Sequence, residues 1–332
     1  MLTALPLVAL LLLGVGAARA ANSDTAPNVV ADLPVPWSLT AQIMAGVAEP
    51  QQLVEPGTDP HDLQLRPSQL RLLGQADLVV WTGPDLLPPV AQMLSRLELT
   101  DRSLALLDIA GDEGHGAAGT DSGPKSDAPD DLDPDDLDHD DLDHDDPGHE
   151  DGALHAWLDP EVTLEWVAAI TARLSDIDPG NADSYRANAD DLTARIRTAQ
   201  QQAATLLEPV RDLPMVVLHD AYDPLADRFG LNIIGAVAEA EGMPSSARRL
   251  AELRRDMLAS GARCAFHEPH QSDALLRNIS EGSGIRIATL DASGGFMEPT
   301  PDLYPRLLIQ LAEAIATCQS GGTEAPDKDS NR

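Results

Sequence analysis

Basic residues are scarce in this chain: 22 Lys and Arg face 55 Asp and Glu, for a net charge of -33 over 332 residues. So acidic a surface excludes nucleic acid and anionic membrane as partners and leaves a cationic ligand as the better match. Long hydrophobic runs are also missing. The apolar stretch Leu7 to Leu13 falls well short of the ~20 residues that span a bilayer. It lacks a preceding Lys or Arg, but Ala18-Arg19-Ala20 has the form of a signal-peptidase site, so residues 1–20 are expected to be a cleaved signal peptide. Cysteine is limited to Cys264 and Cys318. None follows the cleavage site, which excludes a lipoprotein anchor, and in an oxidising compartment the two are expected to pair, the alternative being two buried free thiols.

What is present supports two domains. Hydrophobic residues make up 43% of the chain, enough for packed interiors, and the length suits two units of about 100 to 150 residues. Short β-rich runs at Val29-Val30, Leu53-Val54, Leu78 to Trp81 and Leu104 to Leu107 alternate with helical patterns at Ser38 to Val47 and Pro67 to Gly74. A second series repeats the plan, with runs at Met215 to Leu218, Asn232 to Ile234, Cys264 to Phe266 and Ile285 to Leu290. Helices are expected between them at Pro224 to Phe229, Ser246 to Leu258 and Asp273 to Ile279. The alternation is that of α/β lobes with parallel sheets.

Between the lobes, Tyr185, Ala189, Leu192, Ile196, Ala199, Ala203 and Leu206 recur at spacings of four and three until Pro209. Such a stripe reads as one long helix joining the lobes, or as a dimer seam. The expected organisation is a lobe over 21–110, a loop over 111–152, a helix completing the first lobe over 153–179, a linker helix over 180–208, a second lobe over 209–318 and a tail over 319–332. The loop holds 17 acidic residues against Lys125, so it carries 16 of the 33 net negative charges. Its five-residue repeat, with His139 and His144 among aspartates, matches neither helix nor strand, and it is expected to be disordered.

His61 stands in Gly57-Thr58-Asp59-Pro60-His61-Asp62 just after an expected strand, His219 ends Met215 to Leu218, and Asp291 ends Ile287 to Leu290. Ligand sites in open α/β sheets lie beyond the carboxyl ends of strands. His155 precedes Asp159-Pro160, a helix N-cap followed by a first-turn proline. His267-Glu268-Pro269-His270 is one residue short of a His-Glu-x-x-His protease motif and is broken by Pro269. Accessory metal binding there is one alternative; a hydrogen-bonded strand end is the other.

These segments, with Trp81-Thr82-Gly83-Pro84, His155-Ala156-Trp157-Leu158-Asp159-Pro160, His219-Asp220-Ala221-Tyr222, Phe229-Gly230-Leu231, Glu268-Pro269 and Thr289-Leu290-Asp291, occur in an order that resembles the metal-binding subunits of zinc and manganese ABC importers. The resemblance runs from about Val29 to Cys318. It implies two α/β lobes joined by one long helix with Zn2+ held in the interlobe cleft, by His61 and His155 from one side and His219 and Asp291 from the other. It also implies a periplasmic, monomeric, non-catalytic protein that delivers zinc to a permease dimer in the inner membrane with its cytoplasmic ATPase. Relatives selective for manganese carry a carboxylate where His219 stands, so the histidine favours zinc; the Cys264 and Cys318 pair also matches the zinc members. The alternatives are a manganese-binding protein, a metal buffer or adhesin without a transporter, and a zinc hydrolase.

Overall fold

A computed structural model describes residues 26–110, 154–238 and 246–321. The expected signal peptide, the acidic loop with its four histidines, and all but the first three residues of the expected tail lie outside the described residues.

The first lobe contains β1 (Val29–Ala31), α1 (Pro34–Ile43), β2 (Gln51–Gln52), α2 (Pro67–Gly74), β3 (Leu78–Trp81), α3 (Pro88–Arg96), β4 (Ser103–Ala105) and α4 (Leu107–Ala110). Its four strands are parallel, in the order β2-β1-β3-β4. Then come α5 (Pro160–Ile177) and α6 (Ala182–Leu207). The second lobe follows with β5 (Met215–His219), α7 (Asp223–Phe229), β6 (Ile233–Ala238), α8 (Ala247–Ser260), β7 (Cys264–His267), α9 (Ala274–Ser280) and β8 (Arg286–Thr289), and α10 (Leu303–Gln319) is the last described element. Its strands are again parallel and in the equivalent order, β6-β5-β7-β8. Every residue of β1, β3 and β5 is buried, as parallel strands covered on both faces require.

Several elements depart from the expected bounds. Strand β2 pairs at Gln51 and Gln52, before the apolar Leu53-Val54, although those two continue the ladder through Leu53 N–H to Ala31 O (2.8 Å) and Val54 N–H to Asp32 O (3.0 Å). Helix α1 begins at Pro34, four residues before the expected start, and ends at Ile43. Nine of its ten residues are buried, so the polar face that normally betrays a helix by its period is missing. Helix α10 was not anticipated. Its buried Leu303, Tyr304, Leu307, Leu308, Leu311, Ala312 and Ile315 have helical spacing, and Pro305 falls in the first turn, where proline is tolerated. Gln319, placed in the tail by the sequence reading, is instead buried at the end of α10, where its Nε2 donates to Leu213 O at 3.3 Å. An amide that reaches a strand-leading backbone holds the last turn in place.

The buried face of α6 is formed by Ala182, Tyr185, Ala189, Leu192, Ile196, Ala199, Ala203 and Leu207. It packs against α1, α5 and α10, so partners within the chain fill the stripe and the dimer-seam alternative does not apply to this face. Tyr185 adds a hydroxyl bond to Asp178 Oδ2 (2.7 Å) and Arg195 one to Asp302 Oδ1 (2.7 Å). Apolar burial at about 25 cal/mol per Å2 makes this helical spine, shared by both lobes, a dominant stabilising term.

Cys264 of β7 and Cys318 of α10 are joined in a disulfide across 54 residues of sequence. Loop-closure entropy assigns such a cross-link about 4 kcal/mol. Joint replacement of Cys264→Ala and Cys318→Ala is expected to lower unfolding free energy by roughly 2 to 4 kcal/mol in urea titration, while far-UV circular dichroism of the native state stays unchanged.

Asp32 is fully buried after β1, where its carboxylate accepts the N–H groups of Leu33 and Thr82, each at 2.6 Å. Burial raises its pKa from 3.8 to about 6, and the amide bonds only partly offset that rise. The folded state thus holds this proton up to about pH 6, whereas the unfolded chain releases it near pH 4. The Asp32 contribution is therefore fully favourable below about pH 4 and declines as pH rises to about 6, by an amount on the order of 3 kcal/mol. Urea titrations at pH 4 and pH 6.5 are expected to show this loss in the wild type and a smaller one in Asp32→Asn.

Candidate metal centre

Three imidazoles converge from three separate segments. His61 lies in the loop between β2 and α2. The loop turns at Gly57, whose φ of +76° suits glycine, and Asp59 Oδ1 accepts the His61 N–H at 2.9 Å in a local Asx turn. His155 precedes a 3-10 turn, Ala156–Leu158, in which Leu158 N–H returns to His155 O at 2.9 Å. Asp159 then caps α5 by accepting from Glu161 N–H (2.8 Å), with Pro160 in the first turn. His219 is the last residue of β5.

The ring centroids form a near-equilateral triangle: His61 to His155 is 5.5 Å, His61 to His219 is 5.5 Å and His155 to His219 is 5.0 Å. One ligand-capable atom from each histidine lies within 4.8 Å of the other two. His155 and His219 are 3% and 2% exposed and His61 is partly buried, so two of the three rings are shut away from bulk water.

Glu268, the residue after β7, places Oε1 3.0 Å from His219 Nδ1 and is itself buried. A carboxylate there accepts the Nδ1 proton, fixes the tautomer and turns the Nε2 lone pair to the cluster; histidines that bind metals are typically oriented this way. In the sheet order β6-β5-β7-β8, the boundary between β5 and β7 is the switch point where connections depart in opposite directions, the usual place for a ligand. Sequence reasoning quoted Glu268 only as part of a motif. Its position one residue past a strand, beside the strand that ends in His219, was the signal available.

Asp291 is buried in the turn after β8. Its Oδ1 accepts from Ser293 N–H (3.2 Å) and Oγ–H (3.0 Å), and its Oδ2 from Phe296 N–H (3.0 Å). The cluster of mutually close ligand atoms among the described residues contains the three histidines and not Asp291. His267 and His270 do not join it either. His267 Nδ1 lies 2.9 Å from Glu268 O and its Nε2 3.4 Å from Thr289 Oγ1. His270 stacks on Phe296, centroids 6.1 Å apart, and lies 3.8 Å from both Asp59 and Glu268.

Hydrogen bonds also cross between segments around the site. Trp157 Nε1–H donates to Ala292 O at 2.8 Å, and Tyr304 O–H donates to Trp157 O at 2.8 Å. Tyr222 O–H donates to Leu290 O at 2.7 Å, tying the start of α7 to the strand end before Asp291. The His155 segment is thereby joined to the second lobe as well as to α5.

The chain has relatives of known role. The family model described as zinc-uptake complex component A, periplasmic, matches residues 29–318. A high-affinity zinc uptake system protein ZnuA from Paracoccus denitrificans is 39% identical over 298 residues, covering 88% of this chain and 91% of the relative. Among solved structures, the manganese complex of FpvC from Pseudomonas aeruginosa has a TM-score of 0.69 at 19% identity, covering 89% of this chain and 99% of that one. A zinc-bound ZnuA deletion mutant has a TM-score of 0.68 at 20% identity, covering 90% and 100%. These structures share the two-lobed fold. With nearly all of the folded chain covered by the family model and a relative at 39% identity, the chain belongs to the ZnuA family of periplasmic zinc-uptake components.

Proposed function

We propose that the chain captures one Zn2+ in its cleft through His61, His155 and His219, with Asp291 as the fourth ligand, and hands it to an ABC permease dimer powered by a cytoplasmic ATPase. The convergence of three imidazoles within 4.8 Å carries the reading. Nitrogen-rich, four-coordinate shells suit zinc, whereas a harder ion such as manganese favours carboxylate and carbonyl oxygen. The Asp291 carboxylate retains acceptor capacity beyond its three hydrogen bonds.

A shell completed by protein atoms has no open position for a reactive water, which supports a carrier over a hydrolase. Among the described residues no helix is long and apolar enough to cross a membrane. Together with the signal-like segment at residues 1–20, this supports an exported protein free in the periplasm. Metal analysis of the purified protein, followed by competition among zinc, manganese and copper, tests the reading; preference for manganese over zinc would overturn it.

Chelator competition on single variants tests the ligand set. His61→Ala, His155→Ala and His219→Ala are each expected to weaken zinc binding by more than the about 10- to 100-fold that loss of an outer partner costs. Asp291→Ala is expected to cost less, because water can replace a carboxylate. Unchanged affinity in His219→Ala would remove that residue from the site.

Protons compete with zinc for imidazole nitrogen, whose reference pKa is about 6.5. Zinc affinity is therefore expected to fall steeply from about pH 7.5 to about pH 5.5, over the range in which free imidazole protonates. A flat profile across that interval would be inconsistent with a site built from histidine.

A further inference from the structure

Arg228, near the end of α7, lies on the second lobe a short way past His219 and meets Asp159, which follows the His155 turn on the first lobe. One edge of the guanidinium, Nε and Nη2, meets both carboxylate oxygens. Nε–H donates to Asp159 Oδ1 and Nη2–H to Asp159 Oδ2, each at 2.7 Å. This is the parallel two-bond geometry that arginine makes with carboxylates and lysine cannot. The pair is partly shielded, with side-chain exposures of 34% and 18%, so it is less screened than an ordinary surface ion pair.

The same Asp159 carboxylate caps α5 through Glu161 N–H, so one side chain holds the helix entrance and receives the arginine. Four residues upstream is His155; nine residues before Arg228 is His219. Two histidines that belong to different lobes are thus linked outside the cluster by a short, stiff path: His155, the 3-10 turn, Asp159, Arg228, α7 and β5. The bond from Trp157 Nε1–H to Ala292 O pins the middle of that turn.

We propose that Arg228 is a positioning residue for the metal site, clamping Asp159 so that His155 is held at zinc-binding distance from His219 before the ion arrives. Preorganisation of this kind raises affinity by removing the ordering cost from the binding step. The proposal rests on the reading of His155 and His219 as zinc ligands.

The test uses the full mature protein and zinc itself. Zinc affinity is measured by chelator competition, and the Co2+-substituted absorption spectrum reports ligand geometry. The variants are Arg228→Ala, Arg228→Lys, Asp159→Asn and the Arg228→Ala/Asp159→Asn double. Asn at 159 keeps an acceptor for the helix cap but loses the charge. Arg248→Ala is the control, since it removes an equal charge from an exposed position paired with Glu252 on its own helix.

Arg228→Ala is expected to lower zinc affinity by about 10-fold, the low end of the range for groups bonded directly to a metal ligand, since it acts on His155 through Asp159. The cobalt spectrum should shift with it, Arg228→Lys should recover part of the loss, and the double variant should be no worse than either single. Arg248→Ala should match the wild type. If Arg228→Ala lowers only the thermal stability of the metal-free protein and leaves zinc affinity and the cobalt spectrum at wild-type values, the proposal is overturned, and so it is if the two single losses add in the double. If His155→Ala or His219→Ala leaves zinc affinity intact, the ligand assignment fails instead, and the clamp with it.

Discussion

The packing of α6 against α1, α5 and α10 is the constraint on which the cleft depends. His61 and His219 are carried by sheets that share no strand, so their separation is set by whatever holds the lobes relative to one another. A continuous apolar face from Ala182 to Leu207 does this, since shifting one lobe would uncover side chains that now fill the spine. Close packing of that kind tolerates two arrangements far more readily than a gradual slide. The site is therefore held by a helix that contributes no ligand to it.

The two lobes use the same strand order for different ends. In the second lobe, the boundary between β5 and β7 is occupied by His219 and Glu268, a pair that presents a nitrogen lone pair to the cleft. In the first lobe, the equivalent boundary between β1 and β3 is closed by Asp32, whose carboxylate takes the Leu33 and Thr82 amides. Asp32 and Thr82, not histidines, directly follow those two strands. The first lobe accordingly supplies its histidines from loops, His61 after β2 and His155 ahead of α5, while the second supplies one directly from a strand end.

Much of this was legible in the chain. The stripe on α6 was readable because a helix half in solvent keeps its polar face, and β3 and β5 were readable because wholly apolar runs of that length leave little else. Helix α1 was misplaced because burial on nearly every side erases the period, and α10 carries Pro305, a residue tolerated in a helix only where it falls in the first turn. The three histidines could be singled out by their positions at strand and helix ends. Their convergence could not, because it is produced by contacts between residues 94 and 158 positions apart in sequence, and only the likeness to a known family supplied it. Glu268 and Arg228 escaped because each acts on a partner far along the chain, and neither residue type is unusual where it stands.

The bond between Cys264 and Cys318 ties the central region of the second sheet to the last turn of the final helix. In a reducing cytosol that tie is absent, and the chain lacks a cross-link worth a sizeable share of the 5 to 15 kcal/mol typical of a folded domain, about 4 kcal/mol by loop entropy. A chain of a periplasmic family therefore acquires this covalent link only in an oxidising compartment. The cross-link falls between β7, which leads directly into Glu268, and the helix that braces α6, so it tethers the strand beside His219 to the spine that holds the lobes.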